Sequence, residues 1–415
     1  MGKHTMEELK QWQALPLSIK VRMSQERIRM WVREYGESGV YVSFSGGKDS
    51  TVLSHLVDRT IPNNDIPRVF VNTGLEYPEI VSFVKQEPRA VIIRPKMNFK
   101  KVIEKYGYPF FSKEISEAVY GARRYLDELI HRQTDRQTDN LPNQHFYNKL
   151  CGLGEYAKSH EGGMIQSIAS SEELANILHE RMKSRNGGSN FRLAEMLGIL
   201  TKDNQIKANI PNGDRSQYAC EKYKFMLEDG APLISANCCG IMKKAPMHSY
   251  AHKSGRVCMT AEMAAESRQR AQKWLQNGCN GFHLKNPKST PLAFWTEQDI
   301  LQYIQENHIP IASVYGEIVA DQAKSENIEG QLMFTENGIE ESKCVLKTTG
   351  CKRTGCMFCG YGCHLEKEGE GRFERLKLTH PKIYEWIFKD WEQGGLGYKK
   401  VIDWINENGN MNIRY

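Results

Sequence analysis

Apolar residues recur at helical spacing from about Met6 to Glu37 (Leu9, Trp12, Leu15, then Ile19, Met23, Ile28, Trp31), and Pro16 divides the stretch into two helices. The period then changes. Val40-Tyr41-Val42-Ser43-Phe44 is a β-branched and aromatic run, Ser50 to Asp58 a helix, and Arg68-Val69-Phe70-Val71-Asn72 a second strand. A helix over Pro78–Gln86 and a third strand at Ala90–Arg94 follow. Strands alternating with helices predict βαβ units and a parallel sheet.

From about Phe99 to Asp229 the pattern is polar and helical. It contains a tandem Arg-Gln-Thr-Asp repeat (Arg132 to Asp139), a Gly-rich piece (Ser184 to Asn190) and a basic run between Arg181 and Lys207. The basic run reads first as a solvated surface and second as a contact for a nucleic-acid backbone. Strand signals return at Pro232–Ser235 and Arg256–Met259. A long helix is expected over Ala261–Gln276, and another opens at Thr296, with Asp299 completing a variant capping box and Ile300, Leu301 and Ile304 on one face. Residues 311–342 read as a linker, 343–365 as a cysteine segment, and the tail carries Tyr384, Trp386, Phe388 and Trp391 at the spacing of packed helices. The expectation is an α/β fold, a Rossmann-like parallel sheet with a large helical insertion and a cysteine-rich, helical C-terminal region. Its expected divisions are 1–37, 38–98, 99–230, 231–310 and 311–415.

Composition is that of an ordinary globular chain: 415 residues, 40% hydrophobic and 26% charged, with a formal net charge of +6. That excess permits a polyanionic partner without demanding one. No apolar run approaches the roughly 18–20 residues of a membrane span, and Met1–Lys10 is too polar for a signal peptide, so a cytoplasmic location is expected. Eleven cysteines then point to reduced thiols held for metal or catalysis rather than to a disulfide framework. Cys344, Cys351, Cys356, Cys359 and Cys363 crowd into one short segment.

Ser43-Phe44-Ser45-Gly46-Gly47-Lys48-Asp49-Ser50 joins a strand to a helix. Paired glycines let backbone amides approach a phosphate, the helix N-terminus adds its positive end, Ser45 and Ser50 offer hydroxyls and Lys48 a charge. The octet resembles the PP-loop of ATP pyrophosphatases, which split ATP to AMP and pyrophosphate. Within that superfamily the chain resembles the phosphoadenosine phosphosulfate (PAPS) reductase family. Asn72-Thr73-Gly74-Leu75-Glu76-Tyr77-Pro78-Glu79 is similar to the family's segment after the second strand, with Asn72 for the usual Asp. Pro291-Leu292-Ala293-Phe294-Trp295-Thr296 with Asp299-Ile300 is similar to its PL-x-x-W-T element. Thr260 to Arg270 is similar to its T-G-x-R-x-x-E-S-x-x-R signature, with Ala261 and Met263 replacing the glycine and first arginine. The resemblance implies nucleotide contacts at Ser43, Ser45, Gly46, Gly47, Lys48, Asp49, Ser50, Thr73, Gly74, Glu76, Glu266, Ser267, Arg268 and Arg270, with Lys48 and Asp49 also catalytic. The intact loop favours ATP with Mg2+.

Cys238-Cys239 and, far along the chain, Cys356-x-x-Cys359 can bring four thiolates together. The pair of motifs resembles the arrangement that holds a [4Fe-4S] cluster in adenylyl-sulfate reductases, which makes these four the first choice of ligands. A rival set is local (Cys351, Cys356, Cys359, Cys363), and zinc is the runner-up metal. Between Lys343 and His364 there are four Lys or Arg and no acid. Cys351 and Cys363, with Cys344, are therefore candidates for an attacking or sulfur-carrying thiol. Cys151, Cys220, Cys258 and Cys279 need no role beyond packing.

The reading that follows is an ATP-splitting enzyme that activates an acceptor, such as tRNA or DNA, for sulfur transfer, served by a sulfur- or electron-donor protein. The alternatives are a sulfonucleotide reductase producing sulfite, and a nucleotide- and cluster-binding regulatory or defence subunit. A homo-oligomer is compatible with each.

Overall fold

The computed structural model describes residues 4–131, 188–207, 210–211, 213–228, 230–321, 333–335, 338–340 and 345–415. The Arg132–Asp139 repeat, Cys151, Arg181, Lys183, Arg185 and Cys344 lie outside them. Two compact units emerge, one from residues 1–98 and 241–357, the other from 99–240 and 358–415. Among the described residues no helix is long and apolar enough to cross a membrane.

The first unit is an α/β layer structure. Its helices are α1 (Met6–Ala14), α2 (Leu17–Tyr35), α3 (Lys48–Thr60), α4 (Pro78–Lys85), α5 (Ala245–Ser254), α6 (Arg268–Asn277) and α7 (Glu297–Glu306). The strands of its main sheet are β1 (Val40–Ser43), β2 (Arg68–Val71), β3 (Ala90–Ile93), β4 (Val257–Met259), β5 (Asn280–Gly281) and β6 (Lys288–Ser289). They form one six-stranded sheet in the order β3-β2-β1-β4-β6-β5, parallel except for the β5–β6 pair. The chain therefore runs outward from β1 through β2 to β3, then resumes on the other side of β1. The strand order reverses at β1, and a crevice outside the carboxyl ends of such strands is where open α/β sheets take ligands. The Gly-Gly loop leaves β1 at that point.

One hydrophobic core joins α2 and α3 to the sheet: Ile28, Trp31, Val42, Leu53, Leu56, Trp295 and Ile300 are almost wholly buried. On the other face Phe44, Phe70, Ile80, Val84 and Tyr315 form a second cluster. Thr296 and Asp299 cap α7 reciprocally, as the sequence spacing predicts: Thr296 N donates to Asp299 at 2.7 Å, and Asp299 N to the Thr296 hydroxyl at 3.3 Å. The same Asp299 accepts from the buried Lys20 ammonium at 2.7 Å, tying α2 to α7.

Two expectations change. The helix expected from Ala261 begins only at Arg268, after a 3-10 turn at Ala264–Glu266, because Ser267 is extended and serves as N-cap (φ −166°, ψ 153°). The strand expected at Pro232–Ser235 is a single parallel bridge, Tyr108 to Ile234.

The second unit is mainly helical, with Phe99–Tyr106, Lys113–His131, Gly188–Leu197, Arg372–Thr379, Pro381–Phe388 and Tyr398–Gly409. Phe110, Phe373, Phe388 and Tyr398 form its aromatic centre. A short parallel pairing sets Gly360–Tyr361 beside Phe110–Phe111. Only glycine fits at 360, since a Cβ there would come within 2.6 Å of the Phe110 ring and 2.7 Å of the Pro109 carbonyl oxygen.

Candidate functional site: a nucleotide loop and a thiol cluster

Gly46 takes φ +69°, which glycine adopts without penalty, and a Cβ there would stand 2.7 Å from the Val84 side chain. Gly47 caps α3 in extended geometry and leaves the helix N-terminus bare of any side-chain cap. The loop holds its own shape. Ser45 N donates to the Ser50 hydroxyl at 3.2 Å, Ser50 donates onward to the Gly47 carbonyl at 2.9 Å, and Gly47 N donates to Ser45 Oγ at 3.3 Å. Lys48 N donates to the Tyr315 hydroxyl at 3.1 Å, and that hydroxyl lies 2.6 Å from Thr354 Oγ1.

The Lys48 ammonium is 3% exposed and sits 3.3 Å from both Asp49 and Glu297 carboxylates. Burial works to lower its pKa, but the two carboxylates outweigh that and move it upward, so it stays charged. Next to the loop, Glu76 accepts from Thr73 N at 3.0 Å and from the Thr73 hydroxyl at 2.8 Å. The Lys243 ammonium lies 3.6 Å from Glu76. Lys243 belongs to a π-helical turn, Gly240–Lys244, that runs into α5. Ser43, Ser45, Glu76, Lys243, Met247 and Thr354 line a cleft of about 120 Å³. The cysteine segment reaches this cleft too: Gly355 lines it, and Met357 N donates to the Leu75 carbonyl at 2.8 Å.

Of the expected nucleotide contacts, Ser43, Ser45 and Glu76 line this cleft. The Glu266–Arg270 group does not line that cleft. Ser267 Oγ accepts from Arg270 N at 3.3 Å as a helix cap, Met263 N donates to Glu266, and Arg270 pairs with Glu266. Arg270, with Glu262 and Lys288, lines a separate cavity of about 70 Å³ against Trp274. Glu262 is 2.6 Å from the Lys288 ammonium. Arg268 opens α6 and does not line the loop cleft. Tyr315, Thr354 and Glu297 are site residues that sequence reasoning missed. No motif flags them, because each reaches the loop only through the packing of a distant segment.

In the second unit Cys238, Cys239 and Cys359 all act electrostatically on the Tyr361 hydroxyl. Burial first, and then these thiols, push the Tyr361 pKa far upward, so it stays a phenol; it donates to the Ser235 carbonyl at 3.2 Å. Cys356 belongs to the first unit, three positions before Cys359. Among the described residues no group of three or more His, Cys, Asp or Glu is placed so that it could hold a metal ion. Cys363 is 2% exposed and donates to the Gly360 carbonyl at 2.8 Å; burial pushes its pKa up to about 12. In that setting it is a protonated thiol rather than an attacking thiolate. Cys351 is also buried, at 4% exposure, its N–H donating to the Val314 carbonyl at 2.9 Å.

An uncharacterized protein of Methanocaldococcus jannaschii is 37% identical over 75 residues, a match spanning 17% of this chain and 18% of that protein. Residues 39–125 and 200–361 match the phosphoadenosine phosphosulfate reductase domain, and these stretches hold the loop, Thr73–Glu76, the Cys238-Cys239 pair and Cys356-x-x-Cys359. With more than half of its length in that match, and with the glycine loop at the reversal point of a parallel sheet, the chain belongs to the phosphoadenosine phosphosulfate reductase family.

Proposed function

We propose that this chain binds ATP with Mg2+ on the Ser43–Ser50 loop and splits it to AMP and pyrophosphate to activate an acceptor for sulfur transfer. The observation that carries the reading is the intact loop, with Ser43 and Ser45 lining the cleft and a buried, charged Lys48 at the start of α3. The α3 dipole would receive the phosphates, with the Gly47 and Lys48 amides exchanging Ser45 Oγ and the Tyr315 hydroxyl for phosphate oxygens, and Asp49 would take the magnesium. An acceptor oxygen attacks the α-phosphorus, the bond to the bridging oxygen breaks, and pyrophosphate leaves. Sulfide-level sulfur from a donor protein then attacks the activated carbon of the acceptor, the carbon–oxygen bond to the adenylate breaks, and AMP leaves.

Cys238, Cys239, Cys356 and Cys359 would hold a [4Fe-4S] cluster; what supports this is that Cys238, Cys239 and Cys359 all bear electrostatically on the Tyr361 hydroxyl. When bound, the cluster would supply sulfur or electrons to the reaction. Sulfite-forming reduction of a sulfonucleotide needs an attacking thiolate, and the burial of Cys363 argues against that residue supplying one.

The test is anaerobically purified protein given ATP or adenylyl sulfate. Pyrophosphate from ATP, abolished by Lys48→Ala, supports the reading; sulfite from adenylyl sulfate with no pyrophosphate from ATP defeats it.

A further inference from the structure

A second cavity lies across α5 from the loop cleft. Lys243 and Met247, four positions apart, look into the cleft. Pro246, Ser249, Tyr250 and Lys253, three and four apart on the neighbouring face, line a cavity of about 690 Å³. The opposite wall is the end of β3 and the turn after it, with Ile93, Arg94 and Lys96. The size is that of a ligand pocket rather than a packing gap.

Its chemistry is two-part. The lining is mostly apolar and includes the Tyr250 ring, which Tyr41 holds edge-on with centroids 5.2 Å apart. The cations stand on both walls: Arg94 and Lys96 beyond β3, Lys253 on α5. Elsewhere in this unit Lys20, Lys48, Arg68, Arg89 and Lys288 are matched by carboxylates. Among the described residues no carboxylate pairs with Arg94, Lys96 or Lys253. The sequence concentrates this charge: neither Pro88–Asn98 nor Gly240–Ala261 contains an Asp or Glu, in a chain whose net charge is only +6.

We propose that this cavity takes one base of a single-stranded nucleic acid against Tyr250, with the flanking phosphates on Arg94 and Lys96 at one wall and Lys253 at the other. A lone nucleotide's phosphate serves one wall; a strand crossing the mouth serves both. Aromatic stacking with phosphate neutralisation on either side is how single strands are held. The proposal rests on the reading of the chain as an acceptor-activating enzyme and names the class of that acceptor.

The test is fluorescence anisotropy of the full chain with a labelled single strand of about 15 nucleotides, DNA and RNA, between about 50 and 200 mM salt. The triple variant Arg94→Ala, Lys96→Ala, Lys253→Ala should bind at least about tenfold more weakly, with a log–log salt slope shallower by about 2, since each phosphate contact on a single strand contributes about 0.7. Tyr250→Ala should weaken binding about tenfold at unchanged slope, and Tyr250→Phe should restore it. Arg94, Lys96 and Lys253 are exposed, so folding survives their loss. Unchanged affinity and slope in the triple variant would overturn the proposal, as would displacement of the strand by an equal concentration of a nucleoside monophosphate. Lys48→Ala keeps the two readings apart. It should stop pyrophosphate release and leave strand binding intact; a parent protein that binds the strand in this way but releases no pyrophosphate overturns ATP splitting alone.

Discussion

The Lys48 ammonium and the Glu297 carboxylate lie 3.3 Å apart, the lysine 3% exposed and the glutamate 47%. The buried charge at the head of the nucleotide loop is thus balanced by a carboxylate that water already reaches. An exposed partner is less costly to displace than a buried one, provided another anion takes its place on the lysine. An arriving phosphate can therefore take its place on Lys48. Lys48→Ala should weaken ATP binding by about tenfold or more, the value of one charge-assisted contact. Glu297→Gln should leave it unchanged or slightly tighter. Calorimetric titration of both variants checks this, and loss of affinity in Glu297→Gln would contradict it.

The two loop glycines should respond differently to alanine. At Gly46 the positive φ and the 2.7 Å approach to Val84 make Gly46→Ala costly by about 1–3 kcal/mol, with loss of nucleotide binding. At Gly47 the backbone is ordinary, and the nearest contact for an added Cβ is the Tyr315 hydroxyl at 3.1 Å. Gly47→Ala should therefore keep the melting temperature within a few degrees while still impairing ATP binding. Thermal melts beside binding isotherms separate the two.

The thiols divide by environment. Cys238, Cys239 and Cys359 share Tyr361, whereas Cys363 is hydrogen-bonded to a carbonyl and protonated. Serine at 238, 239, 356 or 359 should abolish the visible absorption of anaerobically reconstituted protein. Serine at 351 or 363 should leave it. Loss of the band in Cys351→Ser and Cys363→Ser, with retention in Cys238→Ser, would move the ligands to the local set.

Arg68 is fully buried, and its guanidinium lies 2.6 Å from Asp58, which Arg89 also contacts at 2.7 Å. Burial works to raise the Asp58 pKa, but hydrogen bonds from Arg89 and the charge of Arg68 hold it below the usual carboxylate range. A lowered folded-state pKa gives stability that is complete above the ordinary Asp pKa of about 4 and lost as pH falls through the lower folded value. Asp58→Asn should cost about 2 kcal/mol at pH 7, less than a fully buried pair because Asp58 is 38% exposed. The deficit should shrink in melts at about pH 3. An equal deficit at both pH values would exclude the ion pair as its source.

Local pattern carried much of the fold into view. The β1 run, the Gly-Gly turn and the start of α3 follow from β-branched residues meeting glycine and then a helical period, all within a few residues of chain. The Thr296–Asp299 cap is equally local. The α6 start lies later than periodicity predicts because helical spacing continues back to Ala261, while the extended Ser267 and the Glu266–Arg270 pair, which end it there, depend on the conformation around them. Tyr315, Thr354 and Glu297 carry no motif.

The sequence by itself determined that a Gly-Gly loop joins a strand to a helix in a parallel α/β domain, since that depends on residue type and short spacing. Only the tertiary structure decided the rest. It directed the Arg270 group to its own cavity, buried Cys363 beyond the reach of a thiolate, and balanced Lys48 with Glu297. The physical reason is that burial and the choice of charge partner depend on segments distant in the chain, and together they decide which titratable groups remain available for chemistry.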